Sequence, residues 1–135
     1  MGGFFGVVSR EDCVADLFYG TDYHSHLGTV RGGMVVRNGH GFHRNIHDIS
    51  NAPFRTKFED DLVKYGGHTG IGVISDTEDQ PLLIASHHGS YAIVTVGRIE
   101  NLDALARSTL RKGGAHYSEL KGNSFNATEV VATLV

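Results

Sequence analysis

Histidine, whose side chain serves catalysis and metal binding, is abundant here, with nine in 135 residues. The densest group is His40, His43 and His47, with Asp48 beside them. On a helix, His43 and His47 would share one face, a spacing that zinc sites use. Asn38-Gly39 is instead a two-residue hairpin signal, so the three histidines read as exposed loop residues and no metal is expected. His24 and His26 lie two apart on a predicted helix and face different ways; His26 reads as a structural partner at the helix end. His87-His88 precede Gly89 and read as an exposed turn. Arg31 and Arg98 read, taken alone, as solvated arginines. Glu59-Asp60-Asp61 reads as a solvated helix face. Cys13 is the single cysteine and cannot form an internal disulfide. It falls inside a predicted helix and reads as a small buried apolar residue.

The elements that must position these side chains follow from periodicity and punctuation. Residues 3–8, Gly-Phe-Phe-Gly-Val-Val, predict a buried strand. Residues 11–25 predict a helix with Val14, Leu17 and Phe18 on one face, extended by Thr21 and His24, and with Gly28 just past its end. Met34-Val35-Val36 predicts a strand that returns through Asn38-Gly39 as residues 40–45. Phe54, Phe58 and Leu62 recur every four residues before Gly66-Gly67, which predicts an amphipathic helix. Residues 69–75 predict a glycine-interrupted strand. The apolar runs 82–87 and 91–97 predict an antiparallel hairpin around His88-Gly89-Ser90. Asn101 opens a helix with Leu102, Leu105, Ala106 and Leu110 on one face, ended by Gly113-Gly114. Asn126-Ala-Thr-Glu129 has capping-box spacing and opens a last short helix. Asn126-Ala-Thr also matches a glycosylation acceptor, but Asn126 is better used as the cap. Mostly antiparallel strands with helices in pairs predict a layered sandwich of α and β elements.

Composition excludes several classes. The length fits one domain, and 40% apolar residues fit a packed core. A net charge of −3 argues against a nucleic-acid surface. No apolar run approaches a membrane span, and no signal-peptide pattern opens the chain, so a cytoplasmic setting is expected.

The start, Met1-Gly-Gly-Phe-Phe-Gly-Val7, resembles the opening Met-Cys-Gly-Ile-Phe-Gly-Ile of class II glutamine amidotransferases. Further segments resemble that family in the same order. Tyr19-Gly-Thr-Asp-Tyr-His-Ser-His26-Leu-Gly28 is similar to its Tyr-Gly-Leu-x-x-Leu-Gln-His-Arg-Gly, and Gly32-Gly33-Met-Val-Val36 to its Ala-Gly-Ile-Val-Val. Gly70-Ile-Gly72-Val-Ile-Ser75 is similar to its Ala-Ile-Gly-His-Val-Arg, and Gln80-Pro-Leu-Leu83 to its Gln-Pro-Leu-Leu. Tyr91 to Asn101 resembles Leu-Ala-Leu-Ala-His-Asn-Gly-Asn-Leu-Val-Asn, and Thr128-Glu129-Val130 resembles Asp-Thr-Glu-Val. Amidophosphoribosyltransferases of purine synthesis are the nearest branch. The resemblance implies an N-terminal nucleophile (Ntn) hydrolase-like α-β-β-α sandwich of class α+β. It also implies one glutamine amidotransferase-like domain over 1–135, truncated at its C-terminal end and joined to a phosphoribosyltransferase-like region.

The family's chemistry uses a cysteine exposed by removal of Met1, whose thiolate attacks the glutamine amide with its own α-amine as base. An Asn side chain and a Gly backbone N–H stabilise the oxyanion. An Arg grips the substrate carboxylate and an Asp its ammonium. By position, the resemblance places the nucleophile at Gly2, the Arg at Ser75, the oxyanion pair at Val96 and Gly97, and the Asp at Ala127; a further family Arg falls at Leu27. Only Gly97 keeps its family type. Loss of a nucleophile alone removes on the order of a millionfold in rate. The expectation is therefore a pseudoenzyme with no cofactor, left to packing, self-association or regulation within a longer protein. Two alternatives stand beside it: an ammonia-dependent amidophosphoribosyltransferase, and a module binding a small anion through Arg31 or Arg98.

Overall fold

The fold was analysed in a computed structural model that describes residues 1–27 and 30–135. The expected helix stop at Gly28 lies outside these residues. They fall into two compact units, Met1–Val96 and Gly97–Val135.

The first unit is built on a four-stranded antiparallel sheet in the order β1-β4-β2-β3. Its strands are β1 (Gly3–Val8), β2 (Arg31–Asn38), β3 (Gly41–Asp48) and β4 (Thr69–Ser75). Helices α1 (Val14–Tyr23) and α2 (Phe54–Phe58) cover one face. A separate antiparallel pair, β5 (Leu82–Ser86) and β6 (Gly89–Ile93), follows. Alternation along the strands sorts the two faces. Phe5, Val7, Met34, Val36 and Ile74 join Val14, Leu17, Phe18, Phe54 and Phe58 in the helix-side core. Phe54 and Phe58 stack at 4.3 Å between centroids, a pairing worth about 1 kcal/mol beyond its buried area.

Close backbone approach explains where the sheet lacks side chains. A Cβ on Gly72 would lie 1.9 Å from the Thr21 hydroxyl oxygen, and one on Gly70 would lie 2.7 Å from Leu17. Helix α1 therefore rests directly on β4. The buried Thr21 hydroxyl is satisfied by donating to the Leu17 carbonyl at 2.7 Å. On the opposite face, a Cβ on Gly33 would lie 1.7 Å from the Gln80 carbonyl oxygen. The segment leading into β5 thus crosses β2 at backbone contact.

Several boundaries differ from the sequence expectation for identifiable reasons. Helix α1 begins at Val14 rather than residue 11, because Asp12 accepts the Val14 N–H at 3.1 Å and ties the Gly67 N–H at 3.1 Å. The first hairpin turns through Gly39-His40, closed by the pair Asn38 and Gly41, since the Asn38 side chain accepts the His40 N–H at 2.8 Å. The return strand accordingly runs to Asp48 rather than 45. The helix expected over Phe54 to Leu62 ends at Phe58 and continues as a 3-10 turn, Glu59–Asp61. The second hairpin turns at His87-His88, closed by Ser86 and Gly89.

The second unit holds α3 (Leu102–Arg111) and α4 (Ala127–Ala132), which contact each other. Asn126 caps α4 as expected, accepting the Glu129 N–H at 3.2 Å. The buried Glu129 carboxylate accepts the Ser118 N–H at 2.8 Å and the Glu119 N–H at 3.0 Å, pinning the preceding loop to the helix. Asn101 precedes α3 but makes no side-chain cap, contrary to expectation.

Gly33→Ala is expected to destabilise the protein by about 3 kcal/mol, because the obstructing atom is backbone and cannot swing aside. Gly39→Ala, with nothing within 4 Å, is expected to change stability by less than about 0.5 kcal/mol. Urea unfolding of the two variants measures the contrast.

Candidate functional site

Strand register assembles three of the expected site positions into one row. Gly3 pairs with Ile74, so Gly2 follows opposite Ser75. Ser75 pairs in turn with Arg31, and Arg31 with Asp48. The row crosses the sheet at the start of β1 and the end of β4.

Each member of the row is already committed. A Cβ on Gly2 would lie 1.8 Å from the Ile74 carbonyl oxygen and 3.4 Å from the Ser75 Cα. The first strand thus begins against backbone, with no room for a side chain on this path. The Met1 ammonium pairs with the Asp76 carboxylate. Ser75 is buried, and its hydroxyl oxygen accepts the Glu78 N–H at 3.1 Å and the Thr77 N–H at 3.4 Å, closing the turn after β4. Arg31 donates through Nη1 to Asp48 at 2.6 Å and through Nε to Asp79 at 2.7 Å. Bonds to these two carboxylates hold its already high pKa higher still. The Ser50 hydroxyl and N–H, with Arg31, hold the Asp48 carboxyl down at about 2. The plain reading of Arg31 as solvated gives way to an internal clamp between β2, β3 and the 76–80 turn.

Of the other positions, Val96 closes the first unit and is half-buried; the neighbouring Thr95 N–H donates to the Gln80 side chain at 2.7 Å. Valine carries no side-chain amide. Gly97, Arg98 and Ala127 belong to the second unit. Gly97 is exposed with φ +146°, Arg98 is exposed, and Ala127 is the first residue of α4 with an apolar side chain. Leu27 is exposed in the turn Ser25–Leu27, which also holds His26. Cys13 is fully buried, and burial pushes its thiol up, so it stays protonated and inert.

The histidine cluster is a different object from the exposed loop expected. His43, Asn45 and His47 alternate along β3 and share its helix-side face, while Asp48 points away. His47 Nε2 lies 2.6 Å from Asp61, whose other oxygen accepts from Lys64 at 3.3 Å. His47 also meets Phe58 edge-on at 4.6 Å, and His43 stacks on Tyr65 at 6.1 Å. Asp61 is buried rather than part of a solvated face. Among the described residues no group of three or more His, Cys, Asp or Glu is placed to hold a metal ion. The sequence signal for this face was the period-two spacing 43, 45, 47; the Asp61 partner had none.

This mixed α/β chain with antiparallel sheets shares its fold with part of solved amidotransferase structures. The solved structures it matches include glutamine phosphoribosylpyrophosphate amidotransferase from B. subtilis, complexed with ADP and GMP, at TM-score 0.78 and 24% identity over 99% of this chain. A second, described as the allosteric regulatory enzyme of purine biosynthesis, matches at TM-score 0.73 and 20% identity, again over 99% of this chain. The chain spans 29% and 32% of the lengths of those two. No family model and no curated protein matches it.

Burial pulls the Asp61 carboxyl up, but bonds from His47, Asn45 and Lys64 outweigh it and leave it below the usual 3.8. A carboxyl lowered by folding stabilises the native state above its unfolded pKa and loses that contribution as pH falls through its folded value. Asp61→Asn should therefore cost about 1–3 kcal/mol at pH 7, and the deficit should shrink below about pH 4. Urea unfolding of the native chain and the variant across acid pH measures both.

Proposed function

We propose that this chain is a degenerate class II glutamine amidotransferase-like domain, inactive as a glutaminase, with a structural or regulatory role in a longer protein. Residues 1–135 form one such domain in this reading, and a cytoplasmic setting goes with it. The observation that carries it is the row Gly2-Ser75-Arg31. The nucleophile position lies against the Ile74 carbonyl, the position of the substrate-binding Arg caps a turn, and the nearby arginine is spent on Asp48 and Asp79. Val96 and Ala127 supply neither an oxyanion amide nor a carboxylate. Fold alone does not carry catalysis.

A second reading is favoured by the names of the solved neighbours, and by the chain's covering 29% of the B. subtilis enzyme. Here the domain belongs to an amidophosphoribosyltransferase-type enzyme of purine nucleotide synthesis that takes free ammonia, with its transferase site elsewhere in the longer protein. A ligand at the old pocket has less support, because an anion there would have to displace Asp48 or Asp79 from Arg31.

Glutamine hydrolysis is the test. Neither the native chain nor Gly2→Cys with Met1 removed should release glutamate above the uncatalysed rate, because the added side chain meets backbone and the binding partners are gone. Turnover restored by Gly2→Cys would overturn the reading and mean that the pocket still binds glutamine. For the second reading, product formation by the longer protein with ammonia but not with glutamine is the expected result.

A further inference from the structure

The face of the sheet away from α1 carries an open cleft of about 190 Å³ in the first unit, lined by Val35, Arg37, Phe42, Thr69, Ile71 and Tyr91 among others. Register explains its floor. Arg37 pairs with both Phe42 and Thr69, and Val35 with Ile71, so these side chains form one patch across three strands. Strand β6 supplies the opposite wall through Ser90, Tyr91 and Ala92. Val35, Ile71 and Phe42 make most of the floor apolar, Arg37 and Thr69 add polar groups to it, and Tyr91 makes the opposite wall aromatic.

Arg31 and Arg55 each hold a carboxylate, whereas exposed Arg37, like Arg10 and Arg44, is in no ion pair among the described residues, and of these three only Arg37 lines the cleft. Its guanidinium carbon lies 5.7 Å from the Phe42 ring centroid. A planar cation held over an aromatic ring at the mouth of an apolar cleft is complementary to a planar anion with an apolar body. Size narrows the choice. An apolar cavity of about 150 Å³ accepts one benzene ring, so the recess of this cleft accommodates a single ring with a short tail.

We infer that this cleft binds a small aromatic carboxylate, its ring on Val35 and Ile71 and its carboxylate on the Arg37 guanidinium. The site is separate from the glutaminase row. Arg31 and Arg37 stand six residues apart on β2, roughly 20 Å along the sheet, and the inference holds whether or not the old site is dead.

An NMR titration of the isotopically labelled chain tests it, with 3-phenylpropionate and its neutral amide as probes. The expected result is saturable shifts for the carboxylate, confined to the Val35, Ile71 and Ala92 methyls, with the amide about tenfold weaker. Arg37→Met should reduce the carboxylate to the affinity of the amide. Ala92→Phe should fill the cleft and abolish both titrations, while resonances of the helix-side core stay in place. No saturable shift with either probe, equal affinity for acid and amide, or undiminished carboxylate binding by Arg37→Met would each overturn the inference.

Discussion

Helix α1 lies directly on β4 because Gly70 and Gly72 put no side chain between them, and Leu17 and Thr21 occupy the space. The rest of the first unit depends on this contact. It sets the height of the helix layer, and Phe5, Val7, Met34 and Val36 then fill the flanks around Leu17 and Phe18. Interiors pack at crystal-like density, so a layer this close tolerates little change in side-chain volume. With β4 held centrally, β1 and β2 pair on its two sides, and the row Gly2-Ser75-Arg31 follows from register.

That row is held by bonds internal to the first unit, made at the ends of its two central strands. Ser75 now ends a strand by accepting two turn amides, and Arg31 joins β2 to Asp48 and Asp79. Neither residue is idle surface. Each contributes bonds that join the ends of the strands to the turn that follows β4.

The two faces of the sheet have diverged in character. The helix side is sealed by stacked phenylalanines and by Asp61, which is hydrogen-bonded to His47 and ion-paired with Lys64 and brings a charged group into a largely apolar layer. The other face is contacted by backbone at Gly33 and Gln80 but stays open beside Arg37 and Tyr91. One sheet thus carries a closed core and an accessible cleft, and the side-chain alternation of β2 assigns Met34 and Val36 to the first, Val35 and Arg37 to the second.

Local patterns were enough to find β1, β4 and the Asn126 cap, because strand alternation and a capping side chain act within a few residues. They also sufficed to establish that Gly2 brings no nucleophile, since a missing side chain is missing in any fold. Boundaries set by side chains reaching across the chain were not readable: Asp12 delays α1 by holding Gly67, and Asn38 moves the turn by one residue. The fates of Arg31, His47 and Asp61 were decided by tertiary structure alone. Arg31 meets Asp79 across 48 residues of sequence, and His47 meets Asp61 across 14. No periodicity within a segment encodes which distant carboxylate will face a cation. That choice is made when strands pair in one register and a turn lands beside them.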